Sequence, residues 1–123
     1  MIGYLRVMDL RDFLDRYIDD IYAARNPAAA SAFIADPCLR HEHGELIVMS
    51  LEQNIARITK FIADYPIADF TNRLVLVDGE HVASVFDVTV GEGAVISAVE
   101  VFRVVEGKIT ETWNSLPGTG AWG

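Results

Sequence analysis

Cysteine is nearly absent from this chain: Cys38 is the only one in 123 residues. No intrachain disulfide can form, and a reducing, cytoplasmic setting is expected. Long apolar runs are missing too. Although 51% of the residues are hydrophobic, no run approaches the ~20 residues that a membrane-spanning helix needs. Met1 to Asp9 has no basic region followed by an apolar stretch and a small-residue cleavage site, so no secretion signal is expected. Positive charge is scarce, with 10 Lys and Arg against 18 Asp and Glu and a net charge of −8. Such a surface makes nucleic acid a poor partner and disfavours polyanions, although a local pocket could differ. The sequence also lacks a Gly-rich phosphate loop, a Gly-x-Ser-x-Gly elbow and a Cys-x-x-Cys pair.

What is present reads as one domain spanning residues 1–123, long enough for a core without staples. Asp9 is a candidate N-cap. Leu10, Phe13, Leu14, Tyr17, Ile18, Ile21 and Tyr22 then recur at helical spacing. Asn26-Pro27 opens a short second helix running to about Ile34, which Asp36-Pro37 stops. Cys38 to His43 is a short strand with Leu39, His41 and His43 on one face, and Gly44 begins a loop. Ser50-Leu51-Glu52-Gln53 has the form of a capping box and opens a third helix that ends at Tyr65-Pro66.

From there the chain is strand-like, at about 68–77, 81–90, 94–105 and 108–115, followed by an irregular tail from Pro117. The breaks at Asp78-Gly79, Gly91-Glu92-Gly93 and Glu106-Gly107 are short and evenly spaced, which predicts an antiparallel meander. Helices first and strands after is an α+β pattern, a curved sheet covered by three helices. In the 94–105 strand Val95, Val99 and Val101 make the second face apolar as well. Three helices cannot cover both faces, so a homodimer through the sheet face is expected.

Against this background Glu100 stands out. It alternates with Ile96, Ala98, Phe102 and Val104 on one strand face, where an acid is costly unless neutral, paired or useful. With a two-residue turn at Glu106-Gly107 and a three-residue one at Gly91-Glu92-Gly93, Glu100 falls opposite Trp113 on one side and Ser84 on the other, near Phe86. A single bulge would shift part of that register. Desolvation there would raise its pKa. Glu100 could then donate to an oxyanion when neutral, act as a base when ionised, or be a structural acid paired with a base such as Arg103.

His41 and His43 point the same way and could supply acid–base chemistry or be a structural pair. No third ligand is marked, so no metal is expected. Tyr17, mid-stripe on the first helix, is a buried phenol that must find a partner and could donate to an oxyanion. Phe86, Phe102, Trp113 and His43 are candidate pocket walls for a hydrophobic small molecule. Cys38 faces away from both histidines.

Several stretches carry a family likeness: Arg16-Tyr17-Ile18, Phe33-Ile34-Ala35-Asp36 into Leu39-Arg40-His41, Ser50 to Ile55, and Val101-Phe102-Arg103 to Glu106-Gly107-Lys108-Ile109. In their order and spacing the chain resembles the SnoaL-like and ketosteroid-isomerase-like members of the nuclear transport factor 2-like superfamily. That resemblance implies a cone of three N-terminal helices packed in a curved, mainly antiparallel sheet. It also implies cofactor-free proton transfer on a carbonyl-bearing substrate, of isomerase, dehydratase or cyclase type. Residue by residue it places Tyr17 at the helix-1 tyrosine, His41 at the general base and Glu100 at the protonated late-strand acid. His replaces an Asp at the base and Glu replaces an Asp at the late strand, which sets steroid isomerisation itself apart. Ala98 stands where the epoxide-hydrolase branch would carry an Arg. A non-catalytic binding module of the same fold is the alternative that the resemblance leaves open.

Overall fold

The structure, a computed structural model, describes residues 8–115 and 117–122. Helix α1 (Leu10–Tyr17) starts as its sequence dictates, with the Asp9 carboxylate accepting from the backbone N–H groups of Arg11 at 3.0 Å and Asp12 at 3.2 Å. It does not continue as one α-helix to Tyr22. A π-helical turn, Ile18–Ala23, takes over. In an α-helix two residues five apart diverge by about 140°. The wider turn brings Tyr17 and Tyr22 onto one buried face, with ring centroids 5.8 Å apart.

The second helix is a 3-10 segment, Pro27–Ala32, shorter than the pattern predicts. Strand β1 (Ile34–Glu42) already runs through Asp36-Pro37, so that dipeptide lies within a strand and does not separate helix from strand. His43-Gly44 then turns the chain, both residues with positive φ, into β2 (Glu45–Met49), a strand where the sequence reading expects a loop. Helix α2 (Leu51–Asp64) opens on the expected capping box: Gln53 N–H donates to Ser50 Oγ at 3.1 Å and Ser50 N–H donates to Gln53 Oε1 at 2.8 Å.

Strands β3 (Asp69–Asp78), β4 (His81–Gly91), β5 (Ala94–Val105) and β6 (Lys108–Asn114) form the predicted meander. Strand β7 (Gly118–Thr119) pairs with β5, so the tail is not wholly irregular. The sheet order is β2-β1-β6-β5-β4-β3, antiparallel except for the β1–β6 pair. The result is a curved, unclosed mixed sheet with the helices in its concave side. The core there is Phe13, Tyr17, Ile21, Phe33, Ile58, Val82, Phe102 and Ile109.

Two register details position the side chains of the concave face. Glu106 and Gly107 both take positive φ in the two-residue β5–β6 turn, and Val105 pairs with Lys108 as expected. The pairing then slips by one residue at Thr110, between the Val104–Ile109 and Arg103–Glu111 pairs. Glu100 therefore lies opposite Asn114, and Trp113, opposite Val101, moves to the convex face. The Ser84–Glu100 pairing is as predicted.

Candidate active site

Along β1, Cys38, Arg40 and Glu42 face the concave side and Leu39 and His41 the convex side. This turns the expected geometry over. Tyr17 and Glu100 line the same deep chamber of about 40 Å³, together with Leu14, Tyr22, Ser84 and Phe102. His41 lies on the other side of the sheet. Its ring stacks on Trp113 at 5.1 Å and its Nε2 is 2.6 Å from Glu111 Oε2. His43 and Trp113 line the same convex groove as His41. Of the expected pocket walls, Phe86 and Phe102 face the cone interior, while His43 and Trp113 do not.

The deep chamber meets a larger one of about 200 Å³ that Glu100, Tyr22, Phe70 and Phe86 also line. Its polar wall is Arg40, Glu42, Glu100 and Asn114 from the sheet and Arg57 from α2. Phe61, Val88 and Ile96 complete the apolar wall. Both arginines, Asn114 and Tyr22 escaped the sequence reading as site residues. A charged residue on a strand or helix ordinarily faces water, and nothing local says that Arg40 is only 8% exposed. The signal available was the alternation of Arg40 and Glu42 opposite the apolar Leu39.

The polar groups hold one another. Arg40 Nη2 donates to Glu42 Oε2 at 3.0 Å. The Asn114 amide, with its oxygen toward Arg40, accepts from Nη2 at 3.2 Å, and its nitrogen donates to Glu100 Oε2. Arg57 Nη2 donates to Asn54 Oδ1 at 3.2 Å, and Asn54 is itself tethered to Ser50 O, so the α2 cap and the site are one construction. Deeper in, Ser84 Oγ donates to Asn72 Oδ1 at 2.8 Å.

Burial pushes the Glu100 carboxyl up to about 7; Arg40 and Arg57 pull against that shift and Glu42 adds to it. Near neutrality Glu100 thus exchanges a proton readily, in the range a general acid or base requires. Burial raises Tyr17 well above an ordinary phenol, aided by neighbouring Tyr22 and Glu100, so it stays a neutral donor. For Arg57 desolvation works against the charge, but the pull of Tyr22, Tyr17 and Glu100 wins and the guanidinium remains protonated. Desolvation raises Cys38 too, so it is a poor nucleophile despite Arg40 nearby. Among the described residues no cluster of three or more His, Cys, Asp or Glu could hold a metal ion. Nor is any described helix long and apolar enough to cross a membrane.

The sequence profile of the SnoaL-like domain matches residues 14–112. Among solved structures, a SnoaL-like polyketide cyclase from Agrobacterium tumefaciens superposes with a TM-score of 0.73, at 18% identity over 89% of this chain and 91% of that one. An NTF2-like protein of unknown function from Mesorhizobium loti gives 0.70, at 20% identity over 92% and 98%. Another from Cytophaga hutchinsonii gives 0.66, at 15% identity over 89% and 91%. These similarities bear on fold. No curated protein matches the sequence.

Proposed function

The chain belongs to the SnoaL-like domain family, and from that premise we propose that it is a cofactor-free acid–base enzyme. Its substrate is a hydrophobic, carbonyl-bearing small molecule, and the reaction is of isomerase, dehydratase or cyclase type. The observation that carries this reading is a carboxyl group held near neutrality inside an aromatic-walled cavity, facing two guanidinium groups. Glu100 takes the proton from the carbon beside the carbonyl and returns it at the product position. The oxygen that gains negative charge meets Arg57 or Arg40 in a water-poor site, where such donors act strongly. Tyr22 and Tyr17 line the chamber, and burial keeps the Tyr17 phenol a neutral donor.

In this reading the base is Glu100 and not His41, whose imidazole is engaged by Glu111 and Trp113 on the convex side. The polyketide cyclase name carried by one structural neighbour fits the same chemistry. The test is deuterium exchange at the carbon beside the carbonyl of 2-tetralone, a small bicyclic ketone, followed by NMR. The wild-type chain should accelerate exchange, and Glu100→Gln should lose ~10²–10⁴-fold of that acceleration. Full exchange in Glu100→Gln would remove the assignment.

The convex face supports a second copy of the chain as partner. Leu46, Val48, Leu74 and Leu76 are half or more exposed there, beside Val99, Val101 and Trp113 of the central strands. Paired polar groups accompany them, Arg103 with Glu80 and the His41 ring with Glu111, which suits a self-complementary contact between two identical faces. Analytical ultracentrifugation should give twice the chain mass.

A further inference from the structure

We propose that the natural ligand is an anion, a hydrophobic molecule whose carboxylate seats on Arg57 and Arg40 while the carbon to be deprotonated lies against Glu100. This rests on the acid–base reading above and names the substrate class. Arg57 reaches the cavity from α2 and makes no ion pair among the described residues. Its side-chain hydrogen bonds go to Asn54 and to the Tyr22 hydroxyl, neither of them a carboxylate, and its buried Nε has no partner. A guanidinium carries five N–H donors, and a cation withdrawn from water without a counter-ion is costly. Tyr17, whose phenol is held by burial well above the ordinary range, cannot serve as that counter-ion.

Arg40 repeats the pattern more mildly. Glu42 and Asn114 take its Nη2, but its buried Nε is also unpartnered. Glu100 forms no ion pair with either arginine. When Glu100 is protonated, Glu42 alone opposes two cations on the cavity wall. That arrangement is the reverse of the chain as a whole, whose net charge is −8. Cations this scarce, turned inward and left short of acceptors, create a local positive potential that draws an anion past an acidic surface.

A neutral carbonyl oxygen offers two lone-pair sites, whereas a carboxylate offers about four and matches the guanidinium fork. Phe61, Phe70 and Phe86 supply the apolar wall for the rest of the molecule. The acidic group also has a mechanistic use. Held by the two guanidinium groups, it fixes the substrate with the carbon to be deprotonated against Glu100, so that binding energy goes into orientation.

The experiment is isothermal titration of the full chain with 2-naphthoate and with 2-naphthamide, a neutral molecule of the same shape. Naphthoate should bind at least ~10-fold tighter. Arg57→Gln and Arg40→Gln should each erase most of that preference, with Arg57→Lys retaining part of it because the charge survives without the fork. Melting curves establish that each variant is folded, and the wild-type comparison needs no variant at all. Equal affinity for the two probes, no binding of either, or an unchanged preference in a folded Arg57→Gln chain would overturn the proposal. A chain that prefers naphthoate but never exchanges the protons of 2-tetralone keeps the anion site and loses the proton-transfer reading. A chain that exchanges those protons and holds both probes equally does the reverse.

Discussion

The two faces of one sheet divide the molecule's chemistry in an unusual way. The concave face, which packs against helices, carries Arg40, Glu42, Glu100 and Asn114. The convex face, which no helix among the described residues covers, carries Leu46, Val48, Leu74, Leu76 and Trp113. A monomer that only needed to fold would arrange them the other way round. Charge inside and apolar surface outside is the arrangement that the proposed ligand on the concave face and the proposed second copy on the convex face would each require. His41 illustrates the divide, because it sits one residue from Arg40 and on the opposite side.

The sharpest way to break that division is to exchange the fates of the two faces. Glu100→Gln should lower 2-tetralone exchange by ~10²–10⁴-fold, whereas His41→Ala should leave it within about threefold. A large loss in His41→Ala with none in Glu100→Gln would move the chemistry to the convex side. Next in size, Val101→Glu on the convex face should convert a dimer to a monomer in ultracentrifugation, since two desolvated acids would face each other across the axis. If the mass stays at one chain in both proteins, the convex face has no second copy on it.

Smaller but more specific is the pH dependence of stability. The Glu100 carboxyl titrates at about 7 in the folded chain against an ordinary 4.5. Its contribution to stability is fully present below the unfolded value and is lost as pH rises through the folded one. Glu100→Gln should therefore match wild type near pH 4 and become the more stable protein towards pH 8. The gap should be at most on the order of 3 kcal/mol, and less where the cavity admits water. Smallest is Ser50→Ala, which breaks the α2 capping box and should cost about 1 kcal/mol. Asn54 is tied to the Ser50 backbone carbonyl, which alanine keeps, so naphthoate binding should change by less than about twofold.

How much of this the sequence carried follows from the range of the interactions involved. The α2 capping box, the Asp9 cap and the turns of the meander are local, and the residues that form them are adjacent. The oddity of Glu100 was visible from alternation alone. The register that placed it opposite Asn114 was not, because one extra residue at Thr110 is indistinguishable by propensity from a regular strand position. Strand β2 was hidden for a different reason. Leu46, Ile47, Val48 and Met49 are strand-like, but they follow a Gly and precede a helix cap, and only pairing with β1 makes them a strand. The concave direction of Arg40 and Glu42 was least legible. Alternation assigns residues to the same face, yet polarity chooses which face is inside, and here polarity points the wrong way. The π-helical turn that aligns Tyr17 with Tyr22 depends on packing inside the cone, which no window of α1 contains.

The division between the faces stands or falls with Glu100. Carboxyl carbon NMR of the glutamate-labelled chain, with Glu100→Gln to identify the resonance, measures its titration directly. A midpoint near 7 is the predicted result. A midpoint in the ordinary range below 5, with the fold intact, would mean a solvated acid in the cone and would contradict the account.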